Sequence, residues 1–441
     1  MTGWMPLRNA YIACWMGLLL ACAAALPASE MARPFGEPTP KYMTTTVGFF
    51  LRHTQPDPEG GSTIPRLMLN WNSPLFQTSN PGHMRLFFGG TYADGEILLG
   101  SNDIVFGVGG FMQPVRLVDR EYLQGVEQAG TEVERSSYAG RLMFGTFSQN
   151  ATYLHNVEIL MFYSWGFEEF HSRQRTDPTF VVPRSTGVET WGFSIAFDDA
   201  WETKTETAQR QGGMVQAPPE HHGSYLQLMG IFTQRLHWEG WGLPSRFANS
   251  NSQADYPKFA LASGADQTQM TGDQVNFSFA LRAGYGEDLD RFSAFRLGGG
   301  TDMDRDLNRA PLYGYHFEEF LADRFATVLF DFGVKFNGLM GTPDGGGPDG
   351  ARLANSAAEN TGTISRFHVY YQQAYMNEMN LGVDQISKKP TWKRAAGTAL
   401  TTSVMSGVYV RVDLAYGFDA RRKNDSVKGG WELVFSAQSS F

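Results

Sequence analysis

Apolar and polar residues alternate along most of this chain. From Gln274 to Gly286, Val275, Phe277, Phe279, Leu281, Ala283 and Tyr285 share one parity, while Gln274, Asn276, Ser278, Ala280, Arg282 and Gly284 share the other. A period of two is the period of a strand, so this segment carries one apolar face and one polar or small face. The pattern recurs with Trp191, Phe193, Ile195 and Phe197, with Val328, Phe330, Phe332, Val334 and Phe336, and with Val408, Val410, Val412, Leu414, Tyr416 and Phe418. Their opposite parities hold Asp331 and Lys335, and Arg411 and Asp413. Weaker segments cover 43–52, 64–72, 83–98, 102–112, 136–148, 152–166, 224–236, 257–262, 290–297, 364–376 and 397–405. Between them, long stretches at about 113–135, 167–187, 199–223, 237–256, 298–323, 337–362 and 377–396 are rich in Gly, Asp, Asn and Pro, as loops require.

Parity separates two faces without saying which is wet. A soluble sandwich turns its large apolar face inward, and a membrane barrel turns it outward. The last segment bears on the choice. Trp431, Leu433, Phe435 and Phe441 lie on one parity, with Glu432, Val434, Ser436 and Gln438 on the other. Aromatic residues at both ends of an apolar strand fit a bilayer crossing of ~10 residues between two aromatic girdles. A final strand ending on Phe also resembles the last strand of bacterial outer-membrane barrels. That resemblance marks Trp431, Leu433, Phe435 and Phe441 as a barrel-assembly signal. The expected fold is all-β: a transmembrane antiparallel β-barrel of about sixteen strands, an even number, with long extracellular loops and short periplasmic turns. A closed barrel leaves no strand edge unpaired.

Composition agrees. The 441 residues are 42% apolar, 14% aromatic and only 18% charged, with 49 glycines, which suits many short strands and turns. A net charge of −9 gives no reason to expect nucleic-acid binding. Arg8, an uncharged run from Ala10 to Leu26 and the exit Pro27-Ala28-Ser29 read as a secretory signal peptide over 1–29, implying Sec-dependent export. The alternative is a transmembrane helix, for which the run is slightly short. Both cysteines, Cys14 and Cys22, fall inside this segment, so no disulfide is expected in the exported chain. Leu19-Leu20-Ala21-Cys22 also resembles a lipoprotein cleavage box. Residues 30–41 read as a short periplasmic linker, and 42–441 as the barrel.

Residues 291–336 carry a family resemblance. They include Phe295-Arg296-Leu297-Gly298-Gly299, a polar insert, Leu312-Tyr313-Gly314-Tyr315, and then the strand pattern that holds Asp331. This resembles the bacterial surface antigen superfamily, the BamA/TamA-like outer-membrane barrels, in which a Phe-x-Leu-Gly-Gly strand end leads into a long loop. That loop bears a hydrophobic-Arg-Gly-aromatic tetrad and folds back into the lumen, and five strands follow. Candidate strands at 325–337, 364–376, 397–405, 407–419 and 430–441 match that count. The resemblance implies a transport role, or a role in membrane-protein assembly or secretion across the outer membrane of a Gram-negative-type bacterium. It also implies contact with lipids and lipopolysaccharide, and insertion by the barrel assembly machinery. Two departures stand out. Tyr313 occupies the place of the family arginine, which anchors the loop to acidic groups on the wall. Arg296 or Arg309 could supply the cation, with Asp331 and Asp413 as wall partners and Arg411 and Arg282 beside them. The family's periplasmic POTRA domains are also not expected here, since only about 15 residues separate the expected signal from the first expected strand, too few for a domain. A periplasmic partner supplied separately is one way to restore them.

No catalytic, metal or cofactor site is expected. Glu220-His221-His222 lacks a third convergent ligand. Asp302, Asp304 and Asp306 lack the glycine and terminal glutamate of a calcium loop. Glu168-Glu169 and Glu318-Glu319 are adjacent pairs whose side chains point apart. No Gly-x-Ser-x-Gly element occurs. Two alternatives to transport stay open: a surface structural or adhesion barrel with a plugged lumen, and a barrel-embedded hydrolase.

Overall fold

The computed structural model describes residues 44–55, 62–74, 82–88, 93–100, 104–119, 122–123, 126–127, 129–149, 155–200, 223–243, 254–267, 275–299, 307–316, 319–337, 364–381, 386–405, 408–422 and 427–440. The wall strands are β1 (Thr44–Gln55), β2 (Ser62–Pro74), β3 (Gly82–Phe88), β4 (Ala93–Gly100), β5 (Val105–Asp119), β6 (Val133–Gln149), β7 (His155–Ser172) and β8 (Thr186–Ala200). They continue as β9 (Gly223–Arg235), β10 (Asp255–Gln267), β11 (Val275–Gly286), β12 (Phe320–Asn337), β13 (Ile364–Leu381), β14 (Ile386–Met405), β15 (Val408–Arg422) and β16 (Val427–Ser440). Each pairs antiparallel with the next. β1 also pairs with β16, Thr46–Gln55 against Trp431–Ser440, so the wall returns to its start. Two short strands, Phe295–Leu297 and Arg309–Ala310, belong to the same sheet but lie in the β11–β12 connection. A hairpin of Tyr122–Leu123 and Val126–Glu127 stands apart. No helix among the described residues is long and apolar enough to cross a membrane.

The wall explains the parity. Phe106, Met161, Trp191, Phe277, Phe330, Phe332, Leu414, Trp431 and Leu433 are exposed on the outside, while Asp331, Asp413, Glu432 and Val434 are buried inside. Aromatic pairs gather toward the end away from β1's first residue: Tyr163 with Trp165 at 6.0 Å, Tyr375 with Trp392 at 5.0 Å, and Tyr416 with Trp431 at 4.8 Å. An apolar exterior of this extent, belted by Trp and Tyr, is the surface of a barrel made for lipid.

Four expectations need correction. The segment 290–297 is not a wall strand. A turn at Asp290–Ser293 carries the chain inward, and only Phe295–Leu297 pairs, against Phe320–Ala322. The segment 83–98 is instead two strands, β3 ending at Phe88 and β4 beginning at Ala93. The stretch 377–396 is mostly strand, because β13 and β14 run past the lipid, where residues such as Asn377 and Pro390 pair without needing an apolar face. Long and short connections also fail to alternate strictly. Strand β8 ends and β9 begins, and β12 ends and β13 begins, at the end where β1 begins, opposite the β11–β12 connection. Residues 1–43, the metal and calcium candidates at 220–222 and 302–306, Glu318, the side chain of Lys335, and Phe441 lie outside the described residues.

Candidate functional site: a loop packed inside the lumen

The β11–β12 connection enters the barrel and is held there at two places. Its root is a turn in which Asp290 caps its own backbone, the carboxylate accepting from the amides of Phe292 at 2.8 Å and Ser293 at 2.9 Å. Such local capping by Asp favours a turn over strand continuation. Cations from the wall then grip the turn. Arg235 of β9 binds the Asp290 carboxylate at 2.6 Å, Lys258 of β10 donates to the Ser293 carbonyl at 2.6 Å, and Arg135 of β6 donates to the Phe292 carbonyl at 3.0 Å. Arg291 reaches across to the Thr131 carbonyl at 2.7 Å. Phe292 stacks edge-on against Phe170 and Trp241, joining the loops at 173–185 and 236–243 into an aromatic cluster at the barrel mouth.

The loop's tip is Pro311–His316. The Gly314 amide donates to Glu432 of β16 at 2.7 Å, and the Tyr313 amide donates to Gln372 of β13 at 3.0 Å. Gln372 in turn donates to the Pro311 carbonyl at 2.7 Å. The Tyr315 hydroxyl donates to the Arg394 carbonyl at 2.9 Å and accepts from the Asp419 amide at 3.3 Å. Arg52 of β1 donates to the Tyr315 carbonyl at 2.5 Å and forms an ion pair with Glu432. Small inward residues make room for the tip: Ala374, Ala395, Ala399 and Ala415 are all buried in the cluster that holds Leu312, Tyr313 and Tyr315. Gly314 adopts φ +79°, and a Cβ there would stand 2.2 Å from the Gly417 nitrogen. Only glycine permits that backbone approach.

Burial, with the charge of Asp419 behind it, pushes the Tyr315 phenol above its ordinary 10.0. The phenol therefore stays a neutral donor. Because the folded-state value is raised, this stabilisation is complete below about pH 10 and fades as pH climbs past the unfolded value. Tyr315→Phe should shrink the alkaline limb of an unfolding-against-pH profile while leaving its neutral region flat. An alkaline limb of the same size in the variant would assign it elsewhere.

The predicted wall residues take these places. Arg411 binds Asp413 at 2.7 Å and lies 3.7 Å from Asp331. Asp331 also meets His368 Nδ1 at 2.9 Å, whose Nε2 lies 3.4 Å from the Thr401 hydroxyl, at the edge of hydrogen bonding. Arg282 donates to the Arg309 carbonyl at 3.1 Å, so it holds the loop by its backbone. Arg296 donates to the Arg291 carbonyl at 3.0 Å. Phe295 and Leu297 are fully buried, and Gly299 bridges to Leu312. Trp431 and Leu433 face outward, with Phe435 half-buried on the same parity. Glu168 and Glu169 do point apart: Glu168 meets Arg135 and Arg235, while Glu169 meets Ser136 and His171. Among the described residues no group of acidic, His or Cys side chains could hold a metal ion.

Sequence reasoning missed Arg52, Gln372 and Glu432, which grip the tip. Their signal was present, a large polar residue at an inward position of a strand, but nothing in sequence links strands so far apart. A second charged patch went unread on the other side of the lumen: Arg85 with Glu96 at 2.9 Å and Glu158 at 3.3 Å, and Arg141 with Asp94 at 2.9 Å.

No protein-family model matches the chain, and no curated protein matches it. Solved structures do. CdiB from Acinetobacter baumannii is 11% identical with a TM-score of 0.50, the match covering 94% of this chain and 66% of that one, so this chain spans just under two thirds of that CdiB. BamA from Haemophilus ducreyi, in a structure lacking POTRA domains 1–3, is 9% identical with a TM-score of 0.50, covering 94% of this chain and 76% of that one. The chain is similar to both in fold, as a transmembrane β-barrel.

Proposed function

We propose that this chain is an outer-membrane barrel of a Gram-negative-type bacterium that moves material across, or into, that membrane, with the β11–β12 loop as its internal constriction. The single observation that carries this reading is the loop's double anchorage. Its root is held by Arg135, Arg235 and Lys258 and its tip by Arg52, Gln372 and Glu432. A strap tied at both ends across a lumen restricts passage, and polar ties can be exchanged for water when it moves. The resemblance of residues 291–336 to the surface antigen superfamily supports transport, secretion or membrane-protein assembly over porin-like diffusion. On this reading the exterior contacts lipid and lipopolysaccharide, the barrel assembly machinery inserts the chain, and residues 1–29 direct its export.

Single-channel recording in planar bilayers tests it. The intact chain should show rare, small current steps, and replacing residues 298–319 by a short Gly-Ser link should give larger and longer ones. Silence from both would overturn the transport reading. It would favour a plugged structural or adhesion barrel, a reading that the buried aromatic cluster of Phe170, Phe180, Trp241 and Phe292 at the mouth would support.

A further inference from the structure

Two strands of the wall are too short for it. β3 has 7 residues and β4 has 8, fewer than the ~9–11 that carry a strand across a bilayer. Their neighbours β2 and β5 have 13 and 15. The β3–β4 hairpin closes where Phe88 pairs with Ala93, level with Leu69 of β2 and Met112 of β5. Beyond that level, among the described residues, Ser62–Met68 pair with β1 alone, and the remainder of β5 pairs with β6 alone. The hairpin of Tyr122–Leu123 and Val126–Glu127 pairs with neither edge. The wall therefore has a gap between β2 and β5 that is two strands wide, ~14 Å between edges at the usual strand spacing.

The sequence marks this gap. Both edges carry a proline there, Pro65 and Pro114, and Pro114 lies in an irregular stretch of the β5–β6 register. Within sheets proline is confined to edges, strand starts and bulges. Prolines and bulges also discourage the addition of another strand, so these edges are built to stay unpaired rather than to be filled by a peptide. The gap borders lipid-facing wall: Leu67 lies opposite Phe49 and Pro65 opposite Leu51, and Phe49 and Leu51 are exposed outward. Its rim is apolar outside, with Leu67, Leu69, Phe88 and Met112 exposed. Just inside the sill lies the second charged patch, where Arg141 reaches across β5 to Asp94 at 2.9 Å and Arg85 meets Glu96 at 2.9 Å. We infer that the gap is a lateral port for an acyl-chain amphiphile from the adjoining leaflet, its chain lying over the apolar rim and its polar head reaching the charged patch. A free polar solute needs no opening toward lipid. This deepens the transport reading above by naming a substrate class, and it rests on that reading for a lumen that carries traffic.

The test is photocrosslinking of the full chain in phospholipid vesicles, assigned residue by residue by mass spectrometry. One probe is a phospholipid with a diazirine on its headgroup, and the other is the same headgroup without acyl chains, dissolved in the water. Acyl chains hold the first probe in the bilayer, so at equal total concentration it should label the lumen-facing Phe87, Asp94, Gln113 and Arg141 at least about tenfold more than the second. A smaller excess, or no labelling there, would overturn the port. Lengthening β3 and β4 by about six residues each, enough to run beside Ser62–Met68 at ~3.3 Å per residue, should abolish that labelling and leave it at the outward Trp392. Lumen labelling that survives the longer hairpin would equally overturn the port. If the lengthened chain gives no fast-migrating unboiled band, the ratio of the two probes on the native chain decides alone. Labelling with silent bilayers would sink transport and leave a port into a plugged barrel. Current steps without labelling would do the opposite.

Discussion

Replacing Asp290 by alanine is expected to destabilise the folded barrel by about 3–5 kcal/mol, the usual cost of stranding one member of a buried ion pair. The side chain of Arg235 is fully buried, and its guanidinium lies 2.6 Å from Asp290. With Asp290 gone, the Glu168 carboxylate lies 3.5 Å from it, and Arg135 also engages that carboxylate at 3.5 Å. The turn loses its cap as well, since one oxygen of Asp290 accepts from two amides and the Ser293 hydroxyl. Asp290→Asn separates the two effects, because the amide oxygen can still cap the turn while the charge is lost. Unfolding in urea with Trp fluorescence reports the change, since Trp238 and Trp241 pack against Phe292 at the root. A shift under about 1 kcal/mol for the alanine variant would mean that water reaches Arg235 and the root is not a closed site.

The wall was legible in sequence because lipid makes it so. A strand with lipid outside and a polar or packed lumen inside alternates throughout its membrane span, and Phe330, Phe332 and Val334 against Asp331 and Gly333 show that directly. Legibility ended where the lipid ended. β13 and β14 continue through Asn377 and Pro390, which share no apolar face, and the same stretch read as a loop. The loop's place inside the lumen was legible through its motif, but its partners were not. The motif suggested a cation on the loop and acids on the wall. At the tip the structure puts the cation on the wall, at Arg52, and the loop offers backbone atoms at Gly314 and Tyr315. A backbone amide or carbonyl leaves no trace in a sequence. The inward alanines of β13–β15 did leave one: a wall facing open water has no need of Ala374, Ala395, Ala399 and Ala415. Sequence analysis assigned them no role, although their size is what admits the loop.

The exterior offers the clearest separation between a membrane barrel and a soluble one. Leu414 lies near the middle of β15 and faces outward, 44% exposed, beside the inward and buried Asp413. In water, an arginine at such a position is close to neutral for stability, and often helps solubility. At the midplane of a bilayer it costs about 2–4 kcal/mol, because the charge must pull water or headgroups toward itself or distort the lipid. Leu414→Arg should therefore lower the stability of the barrel in lipid vesicles by that amount. Trp392→Arg, on the outward face of β14 near the distal aromatic belt, should cost about 0–1 kcal/mol for the charge itself, because an interface can solvate it. The measurement is the fraction of fast-migrating unboiled protein across a urea series, in vesicles and in detergent micelles. A micelle deforms around a charge more readily than a bilayer, so the Leu414→Arg penalty should shrink there. Equal, small penalties at both positions in vesicles would mean that the outward face never meets the hydrocarbon, and the lumen rather than the exterior would then have to be the apolar side of this wall.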